Sequence, residues 1–298
     1  MGTESVRGKI ERGEAIHASV LCPAKINLFL EVSARREDGY HEIDSIMQKV
    51  SLCDRLEMTF TRGEGIVITA SDKTLPTGEK NLVYAAVAGY FERAGFSCRT
   101  EITLDKRIPI SAGLAGGSTD AAGALGILDK TFHALDREAL ASLALSLGAD
   151  VPFCLFRSQA RCQGLGEVLS PCRGLPHCYL VIAKHRRESV STKDAYRRID
   201  SEAYDVKSSD TIAAALGTGE LCQVIPQLFN RFEGIVLSEK PIAAKIKETM
   251  LENGAQGAMM SGSGPSVFGI FDSEEKALQA KSALRGLGAF AFVAHPWR

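Results

Sequence analysis

Pro109-Ile-Ser-Ala-Gly-Leu-Ala-Gly-Gly-Ser-Thr-Asp-Ala-Ala122 is a short glycine-rich turn running straight into a helix-forming segment. An alternating strand, Arg99 to Leu104, feeds it through Asp105-Lys-Arg-Ile-Pro109. Gly113, Gly116 and Gly117 allow φ > 0 and let backbone approach a bulky anion closely. Ser118, Thr119 and Asp120 are N-cap types, and the pattern predicts a helix continuing over Ala121 to Leu128. Free N–H groups at such a helix start, reinforced by the helix dipole, bind anions. The stretch therefore reads as a phosphate cradle, against the plainer alternative of a turn whose glycines only serve tight packing. It is not a Walker A loop, since no lysine follows Gly117. Nor does Gly113-Leu-Ala-Gly-Gly carry the Gly-x-Gly-x-x-Gly spacing of a dinucleotide fingerprint.

The rest of the chain sets bounds. Its 298 residues can bury a sizeable core, and 45% hydrophobic and 24% charged residues with a net charge of −1 describe an ordinary globular protein. No basic excess points to nucleic acid or a membrane surface. No run approaches the roughly 18 apolar residues that span a bilayer. Residues 1–17 read as a flexible lead-in, and Met1 to Glu14 has no apolar signal core. The eight cysteines contain no Cys-x-x-Cys pair and suggest reduced core thiols in a cytoplasmic protein.

Ala18 to Val32 reads as two strand-like runs around Pro23-Ala-Lys-Ile-Asn27, with Lys25 and Asn27 on one face. Lys25 either has a buried partner or snorkels from a strand edge. Asp38-Gly39 is a hairpin signal that places Tyr40 and His41 before the next strand, as a binding pair or a plain surface couple. Ser45–Leu56 and Gly65–Ala70 read as strands, and Asn81 to Phe91 as a helix capped near Asn81. Asp136 to Leu147 is a helix ended by Gly148, and Asp150 on the following turn is a functional acid or a simple N-cap. Composition loosens near residue 170, where a domain boundary is expected. Beyond it, Tyr179–Ala183 is a strand, and Thr192 leads into a helix carrying Tyr196. Lys207 to Gly219 reads as a polar connection, Asn230 to Glu233 opens a helical segment, and Glu239–Asn253 is a helix. Gly257 to Phe271 is strand, tight Ser/Gly turn, strand; Ser273 caps a helix, and Ala289–Ala294 is a closing strand. Strand–helix alternation with returning hairpins argues for an α+β protein.

Three motifs, Pro23-Ala-Lys-Ile-Asn27, Ile108 through Ala122 and Ser261-Gly-Ser-Gly-Pro265, stand in the order that characterises the GHMP small-molecule kinases. With Asp38-Gly-Tyr-His41 and Leu147-Gly-Ala-Asp-Val-Pro152 the chain resembles the branch acting on a cytidyl diphosphate sugar alcohol in the non-mevalonate isoprenoid route. The resemblance runs from about residue 20 to the C-terminus. It implies a two-domain GHMP kinase fold: residues 18–170 ribosomal protein S5 domain 2-like and ATP-binding, residues 171–298 ferredoxin-like. It also implies transfer of the γ-phosphate of ATP, with Mg2+, to a tertiary hydroxyl, by a monomer or a homodimer. Lys25 and Asp150 match the catalytic pair, and phosphoryl transfer needs such a carboxylate and cation for positioning and charge stabilisation. By the same resemblance Pro109, Ser111, Ala112, Gly113, Leu114, Ala115, Gly116, Gly117, Ser118 and Thr119 hold the ATP phosphates, with Asn81 and Lys106 near the adenosine. Tyr40 and Tyr196 would stack on the cytosine, His41 would read its edge, and Asn27 and Thr192 would touch polar groups of the substrate. The resemblance implies no ligand set for the metal. The family usually has Gly-Leu-Gly-Gly-Gly-Ser-Ser, so Ala115 and Thr119 depart from it, and Ala115 puts a methyl where unusual φ is expected. Another acceptor, such as mevalonate or homoserine, would give no role to Tyr40-His41. A protein that only binds nucleotide would not need Asp150.

Overall fold

The computed structural model describes residues 6–37, 39–199 and 205–297. The strands are β1 (Ile16–Arg35), β2 (His41–Thr61), β3 (Ile66–Ala70), β4 (Arg99–Asp105), β5 (Gln159–Gly164), β6 (Val168–Ser170), β7 (Tyr179–His185), β8 (Phe229–Asn230), β9 (Gly257–Met260), β10 (Val267–Phe271) and β11 (Ala289–Ala294). The chain divides into two compact units. The first comprises Met1–Pro23, Cys53–Ile108 and Gly116–Phe156; the second comprises Ala24–Leu52, Pro109–Ala115 and Arg157–Arg298. β1 and β2 are 20 and 21 residues long, enough for each to contribute one stretch to either unit.

In the first unit the C-terminal part of β2 pairs antiparallel with β4, and β4 pairs parallel with β3. β4 alternates as its sequence suggests, burying Thr100, Ile102 and Leu104. Helices α1 (Val6–Glu11), α2 (Leu82–Ala94), α3 (Gly116–Phe132), α4 (Arg137–Leu147) and α5 (Val151–Phe156) complete it. Asn81 caps α2 by accepting from Val83 N, and Asp136 caps α4 by accepting from Ala139 N. α3 settles directly on β1 because Gly123 has no side chain. A Cβ there would lie 2.5 Å from Cys22 Sγ. Phe60, Phe91, Phe96 and Phe132 close the core with edge-to-face contacts at 5.1 to 5.7 Å.

The second unit holds a four-stranded antiparallel sheet in the order β11-β7-β10-β9. α10 (Pro241–Glu252) and α11 (Glu274–Gly286) cover one face, where Val181, Ala183 and Phe271 meet Ile246, Met250, Ala277 and Leu284. Ile43 to Gln48 of β2 pair with β5, β5 pairs with β6, and β1 runs parallel to β8 at Phe29↔Phe229. Helices α6 (Thr192–Ile199), α7 (Asp210–Thr218), α8 (Leu221–Val224) and α9 (Glu233–Glu239) precede α10 in sequence.

Four sequence expectations are corrected. β1 is one continuous strand, and residues from Cys22 to Val32 are buried on both faces, so its alternation does not divide inside from outside. Glu31 is tolerated there because Arg231 grips both its oxygens, at 2.7 and 2.5 Å. The connection after Lys207 contains α7, whose Ile212, Ala215 and Leu216 are buried at helical spacing. Asn230 ends β8, and the helix that follows starts at Glu233. The lead-in is not loose from residue 6 onward: α1 buries Ile10, and Arg7 lies 4.4 Å over the Phe96 ring. Residues 1–5 of that lead-in lie outside the described residues, as does Asp38.

Candidate active site

Within the second unit Ala24 to Asn27 of the first motif, the front of the glycine loop and the Ser/Gly turn come together. Lys25 Nζ donates to Asn27 Oδ1 at 2.7 Å, Asn27 Nδ2 donates to Ser45 Oγ at 2.8 Å, and Ser45 Oγ donates to Phe29 O at 2.6 Å. All three side chains are buried, and the chain of bonds fixes the direction of the lysine. Lys25 N also donates to Leu114 O at 3.1 Å, which registers β1 against the loop. Gly113 packs on the Ser/Gly turn so closely that a Cβ would stand 2.2 Å from Ser261 O, and Ser261 Oγ donates to Gly113 O at 3.0 Å. Asn230 braces the same turn, donating to Met260 O and Gly262 O.

The loop backbone is strained. Ser111, Gly113 and Ala115 have φ of 51°, 72° and 56°, the left-handed region that costs a non-glycine residue roughly 1–2 kcal/mol. Such strain persists where surrounding contacts over-determine it and marks functional loops.

Nearby in sequence to the hairpin, His41 and Tyr196 face each other with ring centroids 5.0 Å apart, and Tyr196 rests edge-on against Phe232 at 4.9 Å. No further ring fits between His41 and Tyr196 at that spacing. Tyr40 is 63% exposed. Thr192 Oγ1, at the start of α6, is 2.9 Å from Ser263 Oγ of the Ser/Gly turn.

The first unit carries the rest of the loop and Asp150. α3 begins at Gly116, so Thr119 and Asp120 lie inside the helix and are not its cap. Gly117 is exposed and Ser118 half-buried, while Thr119 Oγ1 is committed to Pro23 O at 2.9 Å. Lys106 has a side chain only 5% exposed, in ion pairs with Asp54 and, at 2.6 Å, with Asp120. Asp54 also accepts from Arg107 N and Ile108 N. Burial raises the Asp120 carboxyl to about 7, with Lys106 working against that and Asp54 adding to it. For Lys106 burial pulls downward, but the two carboxylates prevail and hold it above its ordinary value. Burial and these carboxylates push the Cys22 thiol upward. Asn81 spends its amide on Pro76 O and Val83 N. Among the polar side chains expected around ATP in this unit, those of Thr119, Lys106 and Asn81 are thus bonded within the protein. The α3 start at Gly116 to Ser118 offers what an anion requires, backbone N–H groups at the positive end of a 17-residue helix. Asp150 lies between α4 and α5, and its carbonyl accepts from Cys154 N at 3.0 Å.

Residues 81–158 match the model of the GHMP kinase N-terminal domain, and residues 213–289 match that of the GHMP kinase C-terminal domain. A protein of Macrococcus caseolyticus named 4-diphosphocytidyl-2-C-methyl-D-erythritol kinase is 40% identical over 89% of this chain and 94% of its own length. The chain belongs to the GHMP kinases. A Listeria innocua protein of the same name is 35% identical over 94% of this chain and 96% of its own. A crystal structure of 4-(cytidine 5'-diphospho)-2C-methyl-D-erythritol kinase superimposes with a TM-score of 0.80 at 37% identity, covering 94% of this chain and all of that one. The homoserine kinase of Cytophaga hutchinsonii shares the fold, with a TM-score of 0.70 at 20% identity, 95% of each chain being covered. The α+β GHMP kinase fold follows from these matches, and the chain is a small-molecule phosphotransferase of the branch its 40%-identical relatives name.

For a GHMP kinase of this branch, the structure gives four residues site roles that the sequence did not assign to them. Ser45 terminates the Lys25–Asn27 chain, Asn230 holds the Ser/Gly turn, and Asp54 with Asp120 fixes Lys106. Only Asp120 carried a local signal, its place after the glycine loop. The others act across long sequence separations and have no motif of their own.

Proposed function

We propose that this GHMP kinase transfers the γ-phosphoryl group of ATP to the tertiary 2-hydroxyl of 4-diphosphocytidyl-2-C-methyl-D-erythritol, supplying the non-mevalonate route to isoprenoid precursors. The observation that carries the acceptor's identity is the aromatic pair His41–Tyr196, with Thr192 of the same helix bonded to the Ser/Gly turn. An aromatic surface with a hydrogen-bonding ring is the equipment for holding a nucleobase. Mevalonate and homoserine carry no base. The names of the relatives support the same reading.

In this account Lys25, aimed by Asn27 and Ser45, stabilises charge on the moving phosphoryl group. Asp150 orients the acceptor hydroxyl and takes its proton as the new P–O bond forms. Within the loop from Pro109 to Thr119 the backbone N–H groups after the proline hold the triphosphate, so Ser111, Ala112, Leu114 and Ala115 act by their main chain, while Pro109, which has no N–H, shapes the turn. Asn81 and Lys106 shape the nucleotide site through the bonds they make to protein. Mg2+ brought in with ATP would neutralise charge on the phosphates and would need only one or two protein oxygens. Tyr40 and Tyr196 flank the cytosine, and Asn27 contributes to the acceptor's polar contacts. A boundary near residue 170 separates the N- and C-terminal family modules, in keeping with the matched segments that end at 158 and begin at 213. We also place the enzyme in the cytoplasm, where eight free thiols are stable; no helix among the described residues is long and apolar enough to cross a membrane.

Stacking makes a differential prediction. Tyr40→Leu and Tyr196→Leu should each raise the Kd of the cytidyl substrate about tenfold, since base–aromatic stacking contributes roughly 1–3 kcal/mol, while ATP affinity stays within twofold. Titration calorimetry of both ligands checks this. Equal weakening of the two would remove the base-binding role.

A further inference from the structure

Lys184 sits on β7, a strand whose neighbouring Val181 and Ala183 face α10 and α11. By strand alternation Lys184 projects from the opposite face. It is 7% exposed, and its Nζ donates to Ile110 O at 3.0 Å. An ammonium has three donors, yet Lys184 forms no ion pair among the described residues. Glu188, on the turn after β7, acts on it electrostatically without pairing, and its Oε2 is buried without a hydrogen-bond partner. Burying an ammonium for one neutral carbonyl is unfavourable compared with an apolar chain of the same length. The geometry must therefore be explained by what it fixes. Ile110 directly precedes Ser111, the first of the loop's three left-handed residues.

We propose that Lys184 is a positioning residue for ATP, holding the Ile110 carbonyl so that Ser111 keeps its left-handed turn and the loop keeps the shape that receives the triphosphate. This rests on the reading of the loop as the phosphate-binding segment. The charge matters because a charged donor bonds a carbonyl roughly twice as strongly as a neutral one. Burial lowers the pKa of Lys184, with Glu188 partly opposing it, so the ammonium is lost at lower pH than for a free lysine. ATP affinity should weaken as pH rises through that range.

The test is calorimetric binding of ATP with MgCl2, and separately of the cytidyl substrate, to the full chain and to Lys184→Met and Lys184→Arg. Lys184→Met should weaken ATP about tenfold, leave the cytidyl substrate within twofold and keep or raise Tm, and Lys184→Arg should restore most of the affinity. The alkaline fall in ATP affinity should be present in the parent chain and absent in Lys184→Met. Unchanged ATP affinity in Lys184→Met, or equal weakening of both ligands, would overturn the proposal. A parent chain that binds the cytidyl substrate but no ATP would overturn the reading of the loop, and this inference with it.

Discussion

Asp150→Asn should lower kcat by about 10²- to 10⁴-fold, the range a positioned proton acceptor contributes, while both substrates bind within a few-fold of their original affinity. The substitution preserves shape. The backbone of Asp150 caps the first turn of α5 through its carbonyl, at 3.0 Å from Cys154 N, and that bond does not depend on the carboxylate. Loss of turnover with an unchanged Tm would therefore report on the side chain's chemistry and not on folding. Turnover near the original value would remove Asp150 from the mechanism. The phosphoryl group would then be transferred by positioning and by Lys25 alone, which loose phosphoryl transition states permit in part.

Gly113→Ala should lower stability on the order of 3 kcal/mol, the sum of a left-handed alanine and an overpacked contact. Gly113 has φ 72°, and its new methyl would meet Ser261 O at 2.2 Å and Gly264 N at 3.1 Å. Both neighbours are backbone, so neither can swing aside. The loop would have to leave the Ser/Gly turn, breaking the Ser261 Oγ bond to Gly113 O, and ATP affinity should fall with it. The reverse change two residues on gives the control. Ala115 already sits at φ 56°, so Ala115→Gly relieves strain, offset by the unfolded chain's added freedom of about 0.4–1 kcal/mol. A small gain in Tm, or none, is expected there, against a clear loss for Gly113→Ala. A Gly113→Ala protein as stable as its parent would show that the loop does not need the observed packing.

The glycine loop, the Ser/Gly turn and the caps at Asn81, Asp136 and Ser273 were legible because each is local: a few neighbouring residues determine backbone geometry there. The expectation of unusual φ at Ala115 was of the same kind, a methyl set among glycines. What escaped the sequence depends on partners far along the chain. β1 looks like two runs around Pro23, yet it continues because β8 and the loop at Leu114 pair with it past the proline. α3 starts at Gly116 and takes in Thr119 and Asp120 because Pro23 O and Lys106 offer those side chains buried partners within the helix. Ile212, Ala215 and Leu216 carried a helical signal masked by the polar residues around them. Tyr40, His41 and Tyr196 were nameable by resemblance, but the contact between His41 and Tyr196 is a property of the fold. Lys184 gave no signal at all, since a lysine at the end of an apolar strand reads as its solvent-exposed end.

The most direct measurement is ADP release by the full chain with ATP and MgCl2, comparing 4-diphosphocytidyl-2-C-methyl-D-erythritol, mevalonate and homoserine as acceptors. Release should require the cytidyl compound and stay at the no-acceptor background with the other two. Comparable release with all three, or release with mevalonate or homoserine but not with the cytidyl compound, would contradict the account.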